Sequence, residues 1–181
     1  MTKILFKLMA VSALVTACSS ASYAASTSTL VQVHGTINAA TCNVNPSTTD
    51  LDLGNFKAAD FGGTADTFVT ANKKSLSIQL TDCVGLGSGQ AYLQVSGPTT
   101  NDGFSYFNSD ATSKVGIAIR EDQKTKDLQN NELVALGAED ADKATIEALA
   151  PKFDISMKSS VVTPASGLTV SAPITFTFIY K

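Results

Sequence analysis

Strict alternation of apolar and polar residues recurs in short stretches along this chain, and a period of two fits one regular backbone, the half-buried β-strand. The first such stretch is Val31-Gln32-Val33-His34-Gly35-Thr36-Ile37. Val31, Val33, Gly35 and Ile37 share one face; Gln32, His34 and Thr36 share the other. The pattern returns at Leu76, Ile78 and Leu80, at Ala91 to Val95, at Val115, Ile117 and Ile119, and at Phe153, Ile155 and Met157. It ends with Ile174, Phe176, Phe178 and Tyr180 on one face, Thr175, Thr177 and Ile179 on the other, and Lys181 last. Leu51-Asp52-Leu53 reads as a shorter strand ended by Gly54, and Glu132 to Leu136 as a weaker one. Turn-forming residues at Asn45–Asp50, Gly85–Gly89, Pro98–Gly103 and Gly167 separate these runs. Six or seven short strands punctuated this way predict an all-β sandwich. Residues 55–74 read as a long loop with Phe56, Phe61 and Phe68 as core plugs. Residues 138–150 break the pattern. Their Ala, Glu, Asp and Lys content, and the i,i+4 spacing of Glu139 and Lys143, fit either a short surface helix or a solvated loop.

Residues 1–24 carry the marks of an export signal: Lys3 and Lys7, a short apolar run from Leu8 to Ala17, and small residues at Ser22 and Ala24. The run is too short to cross a bilayer, and no later segment is longer and equally apolar, so no transmembrane span is expected in the mature chain. Cleavage after Ala24 leaves 157 of the 181 residues, enough for one domain with an adequate core. A second reading takes Val15-Thr16-Ala17-Cys18 as a lipoprotein box with Cys18 lipidated. Under the first reading two cysteines remain, Cys42 and Cys83, and in an exported protein two cysteines pair. A loop of that length, about 40 residues, would gain roughly 4 kcal/mol from its closure in the chain-entropy account.

Charge and motifs exclude several functions. Removing Lys3 and Lys7 takes the formal charge from −3 to −5, and one arginine with scattered lysines forms no basic stripe, so no nucleic-acid partner is expected. No nucleophile elbow, zinc signature or glycine-rich phosphate loop is present, and no enzyme and no cofactor is expected. His34, the lone histidine, sits on the polar face of its strand and reads as a surface residue. The acidic run Glu139-Asp140-Ala141-Asp142 lacks the spaced ligands and turn glycine of a calcium loop, so no metal site is assigned.

Two strands stand out for having too few neighbours. Nothing upstream in the mature chain can pair with Val31–Ile37. The last strand runs to Lys181 with no tail to cover a sheet edge, and exposed apolar edges are hazards that proteins normally cover. A strand from another molecule would resolve both.

Taken in order, Val31-x-Val33-x-Gly35-x-Ile37, Cys42, Leu51-Asp52-Leu53-Gly54, Leu76-x-Ile78-x-Leu80-Thr81-Asp82-Cys83, Val115-Gly116-Ile117-x-Ile119 and Ile174-Thr-Phe176-Thr-Phe178-Ile-Tyr180-Lys181 resemble the chaperone–usher fimbrial subunits of Gram-negative bacteria. These are the type 1 and P-pilus-like pilins, and the resemblance covers nearly all of the mature chain. It implies an incomplete immunoglobulin-like β-sandwich that lacks its last strand and is completed in trans by a donor strand. It implies a division into a signal peptide (1–24), an N-terminal donor extension (25–37) and a pilin domain (38–181). Val31, Val33, Gly35 and Ile37 take the place of the donor face; Phe176, Phe178, Tyr180 and Lys181 take that of the strand held by the chaperone. The partners implied are copies of itself or related pilins joined head to tail, a periplasmic chaperone and an outer-membrane usher. The destination implied is an extracellular fimbrium reached through the periplasm, with a rod or adaptor position in the fibre. The rival from another class is a monomeric periplasmic binding module with a complete sandwich, lipid-anchored at Cys18.

Overall fold

In the computed structural model, which describes residues 40–181, the alternating segments from Leu76 onward become β2 (Lys74–Val84), β3 (Ala91–Ser96), β4 (Val115–Glu121), β5 (Glu132–Leu136), β6 (Lys152–Ser159) and β7 (Thr175–Tyr180); β1 (Thr41–Pro46) precedes them and takes in Asn45 and Pro46, expected in a turn, because pairing with β2 holds them extended. They form one sheet in the order β1-β2-β6-β4 and a second in the order β5-β3-β7. Every ladder is antiparallel. Their inward residues interleave as one core: Leu76, Ile78 and Leu80 of β2, Leu93 and Val95 of β3, Ile119 of β4, Val134 and Leu136 of β5, and Phe153 and Ile155 of β6. Each such side chain contributes about 1.5–3 kcal/mol by leaving water. Phe153 meets Phe176 of the other sheet with ring centroids 5.1 Å apart.

Cys42 and Cys83 are joined in a disulfide that ties β1 to β2 where their register shifts. Their Cα atoms are 4.1 Å apart. Asp82, in the left-handed region at φ +52°, belongs to the same irregularity and accepts a hydrogen bond from the Asn43 amide, 3.0 Å.

The segment 138–150 contains a short helix, α1 (Lys143–Ala148), started by the Asp142 side chain, which accepts the Thr145 N–H at 2.8 Å. It is the surface helix of the two readings, with Lys143, Ala144, Thr145 and Ala148 exposed, and it is anchored by Ile146, which is 0% exposed and belongs to the main core. Glu139 precedes it; the i,i+4 ion pair is Lys143–Glu147, 3.4 Å. Leu51-Asp52-Leu53, expected as a strand, forms none. Asp52 Oδ1 accepts the Gly54 N–H at 2.7 Å and Gly54 turns at φ +76°, so a local turn replaces the ladder.

The long loop 55–74 is a strap with a packed inside. β2 pairs with β6 only along Lys152–Ile155. Beyond that point the Asp66 and Val69 N–H groups donate to the Ser159 and Met157 carbonyls, 2.7 and 3.1 Å, and the Ser156 hydroxyl donates to the Val69 carbonyl. Phe61 and Val69 bury with Val115 in a second small cluster, and Phe56 bridges it to the main core. Phe68 is not a core plug. Its ring lies 4.1 Å from the Arg120 guanidinium, a cation–π contact.

Buried charge holds the strap down. Lys158 of β6, with a side chain 3% exposed, places Nζ 2.6 Å from Asp66 Oδ1 and 2.5 Å from Asp127 Oδ2. Arg120 Nε donates to Asp127 Oδ1, and the Tyr106 hydroxyl donates to Asp66 Oδ1 at 2.7 Å. Burial acts to raise the Asp66 pKa, but the hydrogen bonds from Lys158 and Tyr106 and the charges of Lys158 and Arg120 outweigh it, so the carboxyl sits below the ordinary aspartate range. Burial first, and then the Asp66 hydrogen bond and charge, push the Tyr106 hydroxyl far up, so it stays a donor. Because Asp66 is depressed on folding, its contribution is fully present above an unfolded pKa of about 3.9 and is lost as pH falls through the folded value. Asp66→Asn keeps a side chain that tolerates φ +63° but removes this linkage. Urea midpoints should therefore fall less steeply for the variant than for the parent between about pH 5 and pH 3. Parallel acid limbs would show that Asp66 carries no such linkage.

Candidate functional site

The two edges that face each other across the sandwich, β1 and β7, belong to different sheets. β7 pairs with β3 from Thr175–Ser96 to Tyr180–Ala91, and among the described residues no strand pairs with its other edge. Beside that edge lies a groove. Its first cavity, about 540 Å³, is walled by Val44 and Pro46 of β1 with Leu51 and Leu53 on one side, and by Val170, Ala172, Ile174 and Phe176 on the other. Leu76, Ile78, Ile117, Ile155 and Met157 form its floor. A second cavity, about 480 Å³, is lined by Phe56, Phe61, Val115, Pro164 and Leu168. Both share Gly54, Met157 and Val170, so the two are halves of one furrow.

Physical consequences show in the flanking strand. Phe176, Phe178 and Tyr180 pack against the core yet stay only half-buried, whereas the matching residues of β3, Leu93 and Val95, are fully buried. β7 has an apolar face and an edge that no strand pairs among the described residues, and its first residues, Thr175 and Phe176, line the first cavity. Such a site can take an extended, alternating segment: its backbone completes the ladder and its apolar side chains fill the cavities. Among the described residues there is no cluster of His, Cys, Asp and Glu fit to hold a metal.

The C-terminal end of β7 is fixed by short-range contacts. The Tyr180 hydroxyl donates to the Gly87 carbonyl at 2.6 Å and accepts the Gly87 N–H at 3.0 Å. Lys181 continues the ladder with Gln90, through N–H···O bonds of 3.1 and 2.7 Å. Gly89, at φ +147°, has to be glycine, since a Cβ there would stand 2.5 Å from the Lys181 oxygen.

Of the residues expected from sequence, Cys42 and Cys83 are joined, and Phe176, Phe178 and Tyr180 line up on the inward face of β7 with Lys181 just beyond. Val31, Val33, Gly35 and Ile37 lie outside the described residues. Sequence reasoning missed most of the groove wall: Leu51, Leu53, Val170, Ala172 and Ile174 as a lining, and Val69 behind it. A signal was present. Leu168, Val170, Ala172, Ile174, Phe176, Phe178 and Tyr180 keep one parity over thirteen positions, so the alternating face extends well before the regular strand begins.

The Fimbrial protein family model matches residues 31–181. The chain belongs to that family. It is accordingly a structural subunit of a bacterial pilus, assembled with other pilins outside the cell, and its family is not one of enzymes. The fold agrees: the P pilus rod subunit PapA superposes with a TM-score of 0.55 at 15% identity, over 84% of this chain and 99% of that one. A chaperone–usher pilus structure concerned with rod uncoiling matches at 13% identity and a TM-score of 0.46, over 86% of this chain and 97% of that one. At 15% identity the likeness to PapA speaks for the fold alone, an immunoglobulin-like sandwich. No curated protein matches the chain.

Tyr180→Phe removes one donor and one acceptor of the Gly87 clasp without touching the groove face. It should lower the stability of this pilin by about 0.5–1.5 kcal/mol and speed amide exchange at Gly87 and Gln90. Unchanged exchange at those two amides would show that the hydroxyl is dispensable there.

Proposed function

We propose that this pilin polymerises by donor-strand exchange: Ala25 to Ile37 of one subunit inserts into the groove beside β7 of the next. The observation that carries this reading is the free edge of β7, whose start opens on a furrow floored by Leu76, Ile78, Ile117, Ile155 and Met157, in a chain whose sequence also holds an alternating segment, Val31–Ile37, outside the described residues. Val31, Val33 and Ile37 enter the groove, each contributing about 1.5–3 kcal/mol on burial. Gly35 brings the donor backbone close where a side chain would not fit. Completion of pilins by a donated strand is a known instance of strand addition, so the physics needs nothing special to this chain. Head-to-tail insertion is a heterologous contact that does not close, and it produces a fibre.

In this reading residues 1–24 direct export and are removed, and a periplasmic chaperone holds the subunit by β7 through Phe176, Phe178, Tyr180 and Lys181. An outer-membrane usher of a Gram-negative cell then passes it to the surface. A chain with both a donor segment and a groove fits a place within the rod or as an adaptor.

Material sheared from cells and run unboiled in SDS should give a ladder at multiples of the subunit mass that collapses on heating in acid. Val33→Asp puts an unpaired carboxylate into an apolar cavity and should abolish the ladder. A single monomer band from the parent chain would replace this reading with a monomeric module anchored at Cys18. A normal ladder from Val33→Asp would move the donor register away from Val33.

A further inference from the structure

We infer that Lys158 and Asp66, which do not line the groove, are positioning residues for its far half: their ion pair sets the wall against which an inserted strand packs. The inference rests on the strand-accepting reading of the groove and adds residues to it. Lys158 and Met157 are neighbours on β6 and point to opposite faces, Lys158, itself buried, to Asp127 and the half-exposed Asp66, Met157 to the groove. The strap links the two sides. At its outer end Asp66 is held by Lys158, by the Tyr106 hydroxyl and by its N–H to Ser159. A few residues away, Val69 buries with Phe61 and Val115, and Phe61 and Val115 line the second cavity directly.

β2 leaves the edge of β6 after Ile155, and among the described residues the Asp66 and Val69 N–H bonds, the Ser156 hydroxyl bond and the Arg120–Phe68 contact are what else ties the strap to this part of the sheet. A buried lysine is stable only when paired, and of its two partners Asp66 is the one on the strap, so this pair holds the strap, and Phe61 on it, against β6. Replacing Lys158 by methionine preserves bulk and removes the charge. It leaves Asp127 paired with Arg120 and Asp66 with Tyr106, so the subunit still folds while the strap loses its anchor. Phe61 then no longer presents a fixed surface to the inserted strand.

The test is a mutant cycle on the full-length subunit, read by dissociation of a fluorescent peptide with the sequence of residues 25–38. Lys158→Met should speed peptide release about tenfold in the parent background and hardly at all when Phe61→Ala is already present. A merely structural role for Lys158 would instead give the same acceleration in both backgrounds, and that result overturns the inference while leaving the groove reading intact. Equal release from the parent and Lys158→Met would also overturn it. Failure of the parent subunit to bind the peptide at all would overturn the groove reading, and this inference with it. Asp66→Asn, which keeps the backbone turn, serves as the second variant. It should reproduce the Lys158→Met pattern more weakly, since the amide oxygen can still accept from Lys158 and Tyr106 while the charge is lost.

Discussion

The seam between β1 and β7 governs this molecule. Two sheets close over a common core, and at this seam one edge from each sheet meets the other without a ladder among the described residues. A sandwich core wants cover on every side, because each half-buried aromatic leaves apolar area in contact with water. Phe176, Phe178 and Tyr180 carry that exposure, and the unpaired backbone groups of β7 lie beside them. Apolar area and open hydrogen-bonding capacity thus occur together, which is what one more strand supplies.

The rest of the fold supports the seam without closing it. The Cys42–Cys83 bridge ties the edge strand β1 to the central β2 and stops one rim of the groove from peeling away. On the opposite rim the Tyr180 hydroxyl and the Lys181–Gln90 ladder hold the end of β7 against the Gly87–Gln90 turn. At the far end the strap 61–69 takes over the edge of β6 that β2 abandons, and its ionic cluster and apolar side act through one backbone. Both rims are thus cross-tied while the space between them is open.

Legibility in the sequence followed the length of the local pattern. β2, β4, β6 and β7 were plain because three or four apolar residues in alternation leave no other regular structure open to them. Leu51-Asp52-Leu53 was misread because two leucines around an aspartate look like a strand, but a carboxylate free to accept the Gly54 N–H makes a turn instead. Phe68 was misread because aromatic character signals burial without saying under what; its neighbour Arg120 arrives from a strand some fifty positions away. Ile146 was obscured by the charged residues around it, and only the fold could turn that one side chain into the core.

The sequence alone determined β2 to β7 and the family, which are written in spacing along the chain, and the pairing of Cys42 with Cys83, which follows from export leaving two cysteines. It also held the whole parity from Leu168 to Tyr180, although Pro173 and the non-regular backbone before Thr175 hid its extent. Tertiary structure decided what spacing cannot encode: which edges remain unpaired, that Leu51, Leu53 and Val170 share one cavity with Phe176, and that Lys158 meets Asp66 and Asp127. Those facts depend on chain segments far apart in sequence being brought together, and only the closing of two sheets on one core does that.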